Sequence, residues 1–302
     1  MMTENMKSNP LRLIQWQQKN VYFYIVTGTI AWALIEPLGM DFLKLPVMPI
    51  SIVGAAIGIF TSFRANQAYD RWWEGRKLWG KLINTSRHFA DQALRYTKPD
   101  DRETAERLVL RHVTYVHALR CLLRKQDPFA DADFKRHLTD ENADLKDSTN
   151  LTHALLDRQL TDLVALADAD RLDAFRLASF DVSLMDLLNI QGGCERIKGT
   201  PLPRGYGFIA ETMIKLFAVL LPFALVHEMG FMAIPMNMLV CLAFALISEA
   251  GRVLEDPFSL FYNGLPLQAL SIKIERNVRQ VMGVPLAELP PSEKESAIGV
   301  LM

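Results

Sequence analysis

The side chains able to do acid–base, metal or nucleophilic chemistry are plentiful in this 302-residue chain, but they are scattered. The six histidines are His88, His112, His117, His137, His153 and His227. No two of them sit at i and i+4 around a glutamate, so the zinc-protease helix is absent. His112 and His117 are five apart and turn to different faces of a helix. Cys121, Cys194 and Cys241 are far apart and odd in number. They form neither a disulfide framework nor a zinc spacing, and read as reduced packing thiols. Gly192-Gly193 lacks the lysine and Ser/Thr of a phosphate loop, and no nucleophile elbow or dinucleotide fingerprint occurs. The acidic residues read as solvated helix faces. Nothing here argues for catalysis or for a bound cofactor. One charged pair stands apart: Glu211 and Lys215 lie near the start of an apolar run. Four apart, they share a helix face, and an ion pair is expected between them.

The elements that carry these residues divide between two solvents. Half the chain is hydrophobic and 22% is charged, a mixture that suits a chain shared between lipid and water. The net charge of −1 gives no reason to expect nucleic acid. Apolar runs cover 21–38, 45–63, 208–226 and 229–247. Each is long enough to span hydrocarbon, and short turns join them in pairs. Nearly all Lys and Arg lie in 1–20, 64–207 and 248–302, so both termini are expected in the cytosol and the chain in the inner (plasma) membrane. The organisation is then a first hairpin over 1–63, a cytosolic helical region over 64–207, a second hairpin over 208–247, and a cytosolic helix and tail over 248–302.

Within 64–207 apolar residues recur at helical spacing. Leu78, Leu82, Phe89 and Leu94 form one stripe; Leu108, Val109, Val113, Val116 and Leu119 form the inner face of a helix over 100–125. Residues 129–150 are acidic and irregular, with a short helix. Further helices are expected over 151–168, 171–197 and 270–282, and Leu11, Leu13, Ile14 and Trp16 suggest a short interfacial helix. The fold class is all-α. No Pro lies between Pro49 and Pro99, so one helix is expected to run from the second apolar run into water. Arg71, Trp72, Trp73, Arg76 and Lys77 mark its water-facing end.

That helix carries the run Phe63-Arg64 then Tyr69-Asp70-Arg71-Trp72-Trp73-Glu74-Gly75-Arg76-Lys77-Leu78-Trp79-Gly80. Later come Gln191-Gly192-Gly193-Cys194-Glu195-Arg196-Ile197, Thr200-Pro201-Leu202-Pro203, Glu255-Asp256-Pro257-Phe258 and Asn263-Gly264-Leu265-Pro266-Leu267. Together these resemble the bestrophin family of pentameric ion channels, over about residues 10–285. The resemblance implies a homopentamer of four-span subunits around one axial pore, passing small ions passively. Chloride and other anions are the family's usual ions, with monovalent cations in some bacterial members. Its partners would be its own copies, membrane lipid and permeating ions.

The resemblance also implies sites. In the family three apolar rings, four residues apart, end eight residues before the Arg-Trp-Trp and form the pore neck. Counting back from Arg71 gives Phe63, Ile59 and Ala55. The first ring is usually larger, so Ala55 departs from the pattern. Periodicity alone reads the same stripe as lipid-facing or packing, with Gly54 and Gly58 allowing close helix approach. Ile57, on the opposite face, is expected to face lipid. A second, cytosolic constriction has Leu177 and Phe180 as candidates. Animal relatives hold calcium in a carboxylate-rich clasp after the Pro-Phe. Here Ser259-Leu260-Phe261-Tyr262-Asn263 follows, and calcium wants six to eight oxygens, so that clasp is expected to be missing. A secondary transporter is disfavoured because the hairpins show no repeat, and a membrane-anchored enzyme or scaffold because no catalytic cluster exists.

Overall fold

The structure, a computed structural model, describes residues 17–261 and 263–292. The interfacial pattern expected over Leu11–Trp16 and most of the tail lie outside the described residues. Among the described residues ten α-helices follow in order: α1 Gln18–Ile35, α2 Val47–Tyr96, α3 Arg102–Leu123, α4 Ala132–Arg136, α5 Asp140–Ala143, α6 Leu151–Asp168, α7 Ala174–Gly199, α8 Arg204–Met229, α9 Ala233–Leu254 and α10 Leu267–Val281. No strand occurs among the described residues. They form two compact units: 17–72 with 201–255, and 73–200 with 256–292.

α2 runs unbroken for 50 residues, as the absence of internal proline requires. Pro49 falls in its first turn, where no backbone N–H is needed. The stretches 41–96 and 205–254 are long and apolar enough to cross a membrane. The second holds both α8 and α9, joined at Gly230, whose φ of +53° favours glycine.

In the apolar unit, α1, α8, α9 and the first half of α2 share a core that includes Tyr24, Ile50, Ile57, Ile214, Phe217 and Cys241. Small residues set the spacing. A Cβ on Gly54 would meet the Phe217 ring at 3.0 Å, and one on Gly28 would meet the Ile234 Cα at 3.2 Å. Asn237 is fully buried there, and its amide donates to the carbonyls of Tyr24 (2.9 Å) and Ala218 (3.2 Å). One side chain thus ties α1, α8 and α9 together with its donors satisfied. Two expectations fail in this unit. Ile57 is not lipid-facing; it is 1% exposed. The buried residues of α2 here are Ile50, Gly54, Ile57, Thr61, Arg64 and Ala68, alternating by three and four, so Ile57 falls on the stripe that Gly54 brings against Phe217 of α8. Glu211 and Lys215 do not pair: among the described residues neither has an ion-pair partner, and both line a small polar cavity instead.

The second unit is the water-type helical layer. The residues expected on the inner face of α3, Leu108 through Leu119, are all buried, as are Leu82 and Phe89 of α2, while Leu78 and Leu94 are half-buried. Helix starts follow capping chemistry. The Asn150 side chain accepts from the His153 N–H at 3.0 Å, and Asp173 accepts from the Arg176 N–H at 3.0 Å. The Asp173 cap explains why α7 begins at Ala174 rather than at 171. Its C-terminal half contains Gly192-Gly193; a Cβ on Gly193 would press on Leu78 at 3.0 Å.

Burial of Ile57 makes a direct prediction. Ile57→Ala leaves a cavity of the kind that costs about 2–5 kcal/mol in well-packed cores. The purified variant should unfold several degrees below the parent in a thermal scan, whereas Ile52→Ala, on an exposed position of the same helix, should leave the midpoint unchanged.

Candidate functional site

The stripe Ala55, Ile59 and Phe63 lies on one exposed face of α2, opposite the buried stripe. Ile59 is 60% and Phe63 is 63% exposed, unusual for large apolar side chains flanked by a packed core. With Gly58, Ser62 and Asn66 they line an open groove of about 420 Å³ that contains no charged side chain. The face is therefore apolar with a few neutral hydrogen-bonding groups. It can exclude water and hydrated ions when narrow, and it carries no formal charge to set their sign.

The two candidates for a cytosolic constriction separate. Phe180 is fully buried, with its ring edge-on to Phe89 (5.7 Å) and to Tyr96 (5.8 Å). It is a core residue of the helical layer and cannot line an opening. Leu177 is half-buried. The apolar side chains that α7 exposes are Phe175, Val182, Met185 and Leu188, which the sequence reading did not select.

The signature residues make their contacts within each of the two units. One position beyond Phe63, Arg64 is 5% exposed, and its guanidinium donates to Glu255 Oε1 at 2.6 Å and to Ser248 Oγ at 3.2 Å. Arg71 Nε donates to the Glu255 backbone carbonyl at 3.2 Å. Tyr69 and Trp72 stack with ring centres 6.3 Å apart. In the second unit, Gly75 allows a close approach of α2 to the Pro257-Phe258 turn. A Cβ there would sit 3.1 Å from Pro257 Cγ and 3.2 Å from a Phe258 ring carbon. Phe258 and Trp79 are fully buried. Glu74 accepts from Arg196, and Lys198 binds Asp256 at 2.6 Å. The second Asp256 oxygen accepts from the Phe258 N–H at 3.2 Å. In the loop that follows, a Cβ on Gly264 would collide with the Ser259 carbonyl oxygen. Arg76 is half-buried; Asp70 and Trp73 are exposed. The signature is thus a set of packing and ion-pair contacts, and Glu255 and Asp256 each already have a cation. No group of three or more His, Cys, Asp or Glu among the described residues could hold a metal.

One cluster escaped the sequence reading. Glu275 of α10 is completely buried. Its carboxylate accepts from His117 Nε2 at 3.0 Å and His137 Nε2 at 2.8 Å, and from Arg136 and Arg279 at 3.2 Å each. Burial alone would raise its carboxyl, but the two imidazoles more than offset this and hold it well below the usual carboxylate range. The signal in the sequence was slight: Arg136-His137 is a pair, and Glu275 precedes Arg279 by one turn. By contrast His112 is buried with neither ring nitrogen bonded, its pKa pushed down to about 3, so it is a neutral core residue beside Phe89. Burial pushes the Cys194 thiol up to about 12 and Cys121 up to about 11, which leaves both unreactive.

A fold that is all-helical among the described residues, with membrane-length apolar helices and a water-type helical layer, is that of an integral membrane protein. The family model described as bacterial/fungal bestrophin protein matches residues 12–280, and the chain belongs to that family. A voltage-dependent anion channel-forming protein of Ralstonia nicotianae is 36% identical over 248 residues, covering 80% of this chain and 79% of the relative. The protein YneE of Escherichia coli, of the same descriptive name, is 32% identical over 251 residues, covering 79% and 78%. Among solved structures, a bestrophin homologue from Klebsiella pneumoniae with one tryptophan replaced superposes with a TM-score of 0.84 at 31% identity, covering 90% of this chain and 98% of that one. Another structure of that homologue gives 0.81 at 32% identity.

The Glu275 cluster predicts a pH dependence. Its folded pKa is depressed, so its contribution is present above the unfolded value of about 4.3 and is lost as pH falls towards the folded one. Glu275→Gln should destabilise the protein by about 3–5 kcal/mol near neutral pH. The gap between the unfolding midpoints of parent and variant should shrink as pH drops below about 4.

Proposed function

We propose that the chain assembles as a homopentamer in the inner membrane and conducts small anions passively along an axial pore. The observation that carries this is the exposed, uncharged stripe Ala55, Ile59 and Phe63 on α2, in a chain whose relatives are named as anion channel-forming proteins. An apolar stripe bordering a packed core calls for a cover or a shared lumen. Five copies facing one axis would make three apolar rings, and a ring of Ile or Phe opposes hydrated ions until it widens or wets. On this reading the chain crosses the membrane four times, with α1, the first half of α2, α8 and α9. The basic linkers then place both termini in the cytosol. The chain is a conduit rather than an enzyme. Opening needs no calcium, since Glu255 and Asp256 are engaged by Arg64 and Lys198.

Planar-bilayer recording of the purified protein tests this. Unitary currents are expected, with a reversal potential near the chloride equilibrium under asymmetric salt. Reversal near the cation equilibrium would overturn the anion assignment, and coupled flux without unitary steps would indicate a transporter. Ile59→Ala and Phe63→Ala should raise open probability or conductance, and Ala55→Leu should lower it. Unchanged currents in Ile59→Ala/Phe63→Ala, from protein that still assembles, would remove the stripe from the pathway. Native mass spectrometry should give the pentamer, and chelating calcium should leave the current intact.

A further inference from the structure

The cavity lined by Glu211 and Lys215 lies among α1, α8 and α9 of the apolar unit and has a volume of about 120 Å³. That is room for about four waters. It sits where three apolar runs begin or end. The run of α1 follows Asn20, that of α8 continues after Lys215, and that of α9 stops before Ser248. This is the level at which hydrocarbon gives way to headgroups. Its walls carry both signs of charge. Glu249 is already held by Arg252 at 2.7 Å. Glu211 and Lys215, roughly one 5.4 Å helical turn apart, form no ion pair with each other although their spacing allows one. The Glu211 charge acts instead on Arg252 of the same cavity without a direct bond to it. Tyr24 lines the same cavity and is 1% exposed, yet its hydroxyl has no hydrogen-bond partner among the described residues. That hydroxyl opens on the cavity and is available to donate to or accept from a polar occupant.

We propose that this cavity binds the headgroup of a phosphatidylethanolamine lipid. The primary ammonium enters the cavity towards Glu211, Tyr24 and Ser248, and the phosphate rests at the mouth on Lys215 and Arg252. A free carboxylate and a free ammonium one turn apart match a zwitterion. An anionic glycerol headgroup brings no cation for Glu211. A choline headgroup has no N–H to donate to Glu211 or to the Tyr24 hydroxyl. The inference rests on the chain being embedded in a membrane and not on its conducting ions.

The test is native mass spectrometry of the full-length protein in detergent with equimolar phosphatidylethanolamine, phosphatidylcholine and phosphatidylglycerol. Charge-assisted hydrogen bonds of this kind correspond to about tenfold or more in affinity, so ethanolamine adducts should dominate by about that factor. Glu211→Gln should abolish the preference over phosphatidylcholine, and Lys215→Gln should weaken ethanolamine-lipid binding; both positions are exposed, and the parent protein's preference is read independently of either variant. Equal adducts of the three lipids, or a preference unchanged in both variants, would overturn the proposal. Free phosphoethanolamine that displaces the lipid at millimolar concentration would assign the cavity to a soluble zwitterion and overturn the lipid assignment.

Discussion

One uninterrupted helix constrains everything else in this molecule. α2 keeps its hydrogen-bond ladder from Val47 to Tyr96 while its sequence changes from wholly apolar to densely charged. Within each half the 3.6-residue period ties the exposed face to the buried one. In the apolar half the buried stripe contains Gly54 and Ile57, and the stripe of Ala55, Ile59 and Phe63 is left outside as a geometric consequence. The candidate pore face is therefore determined by what the other side of the helix must pack against.

The helix is held by contacts whose logic is steric before it is electrostatic. Gly54 admits the Phe217 ring, Gly75 admits Pro257 and Phe258, and Gly193 admits Leu78. Ion pairs then settle the remaining polar groups. Arg64 is almost fully buried, and its charge is tolerable because Glu255 and Ser248 receive its donors. Several of the residues that mark the family in the sequence, Arg64, Gly75, Trp79 and Phe258 among them, serve this scaffold. A signature can thus be strongly recognisable and still say little directly about selectivity.

The helical layer uses a different device. Glu275 is buried with two imidazoles and two guanidiniums converging on one carboxylate, so α10 is docked on α3 by a polar centre inside an otherwise apolar interface. Such a centre adds less to stability than apolar packing of equal volume, because desolvating the charges opposes their attraction. It does make register specific, since a one-turn slip of α10 would carry Glu275 away from His117, His137 and Arg136 and leave it only its own-helix partner Arg279.

Length, hydropathy and proline placement were enough to determine the elements. The unbroken α2, the apolar runs, the inner face of α3, the helix 151–168 and the family membership were all legible, because each depends on local period or on a contiguous motif. Which face of each helix turns inward was not. Ile57 was assigned to lipid and is core; Phe180 was assigned to an opening and is core; Glu211 and Lys215 were assigned to each other and instead flank a cavity. Periodicity identifies a stripe but not its neighbour, and in an apolar segment both faces are apolar, so the contrast that orients a helix in water is lacking. The Glu275 centre was equally hidden, because Glu275 lies 158 residues from His117 in the chain and only tertiary packing brings its partners to one point.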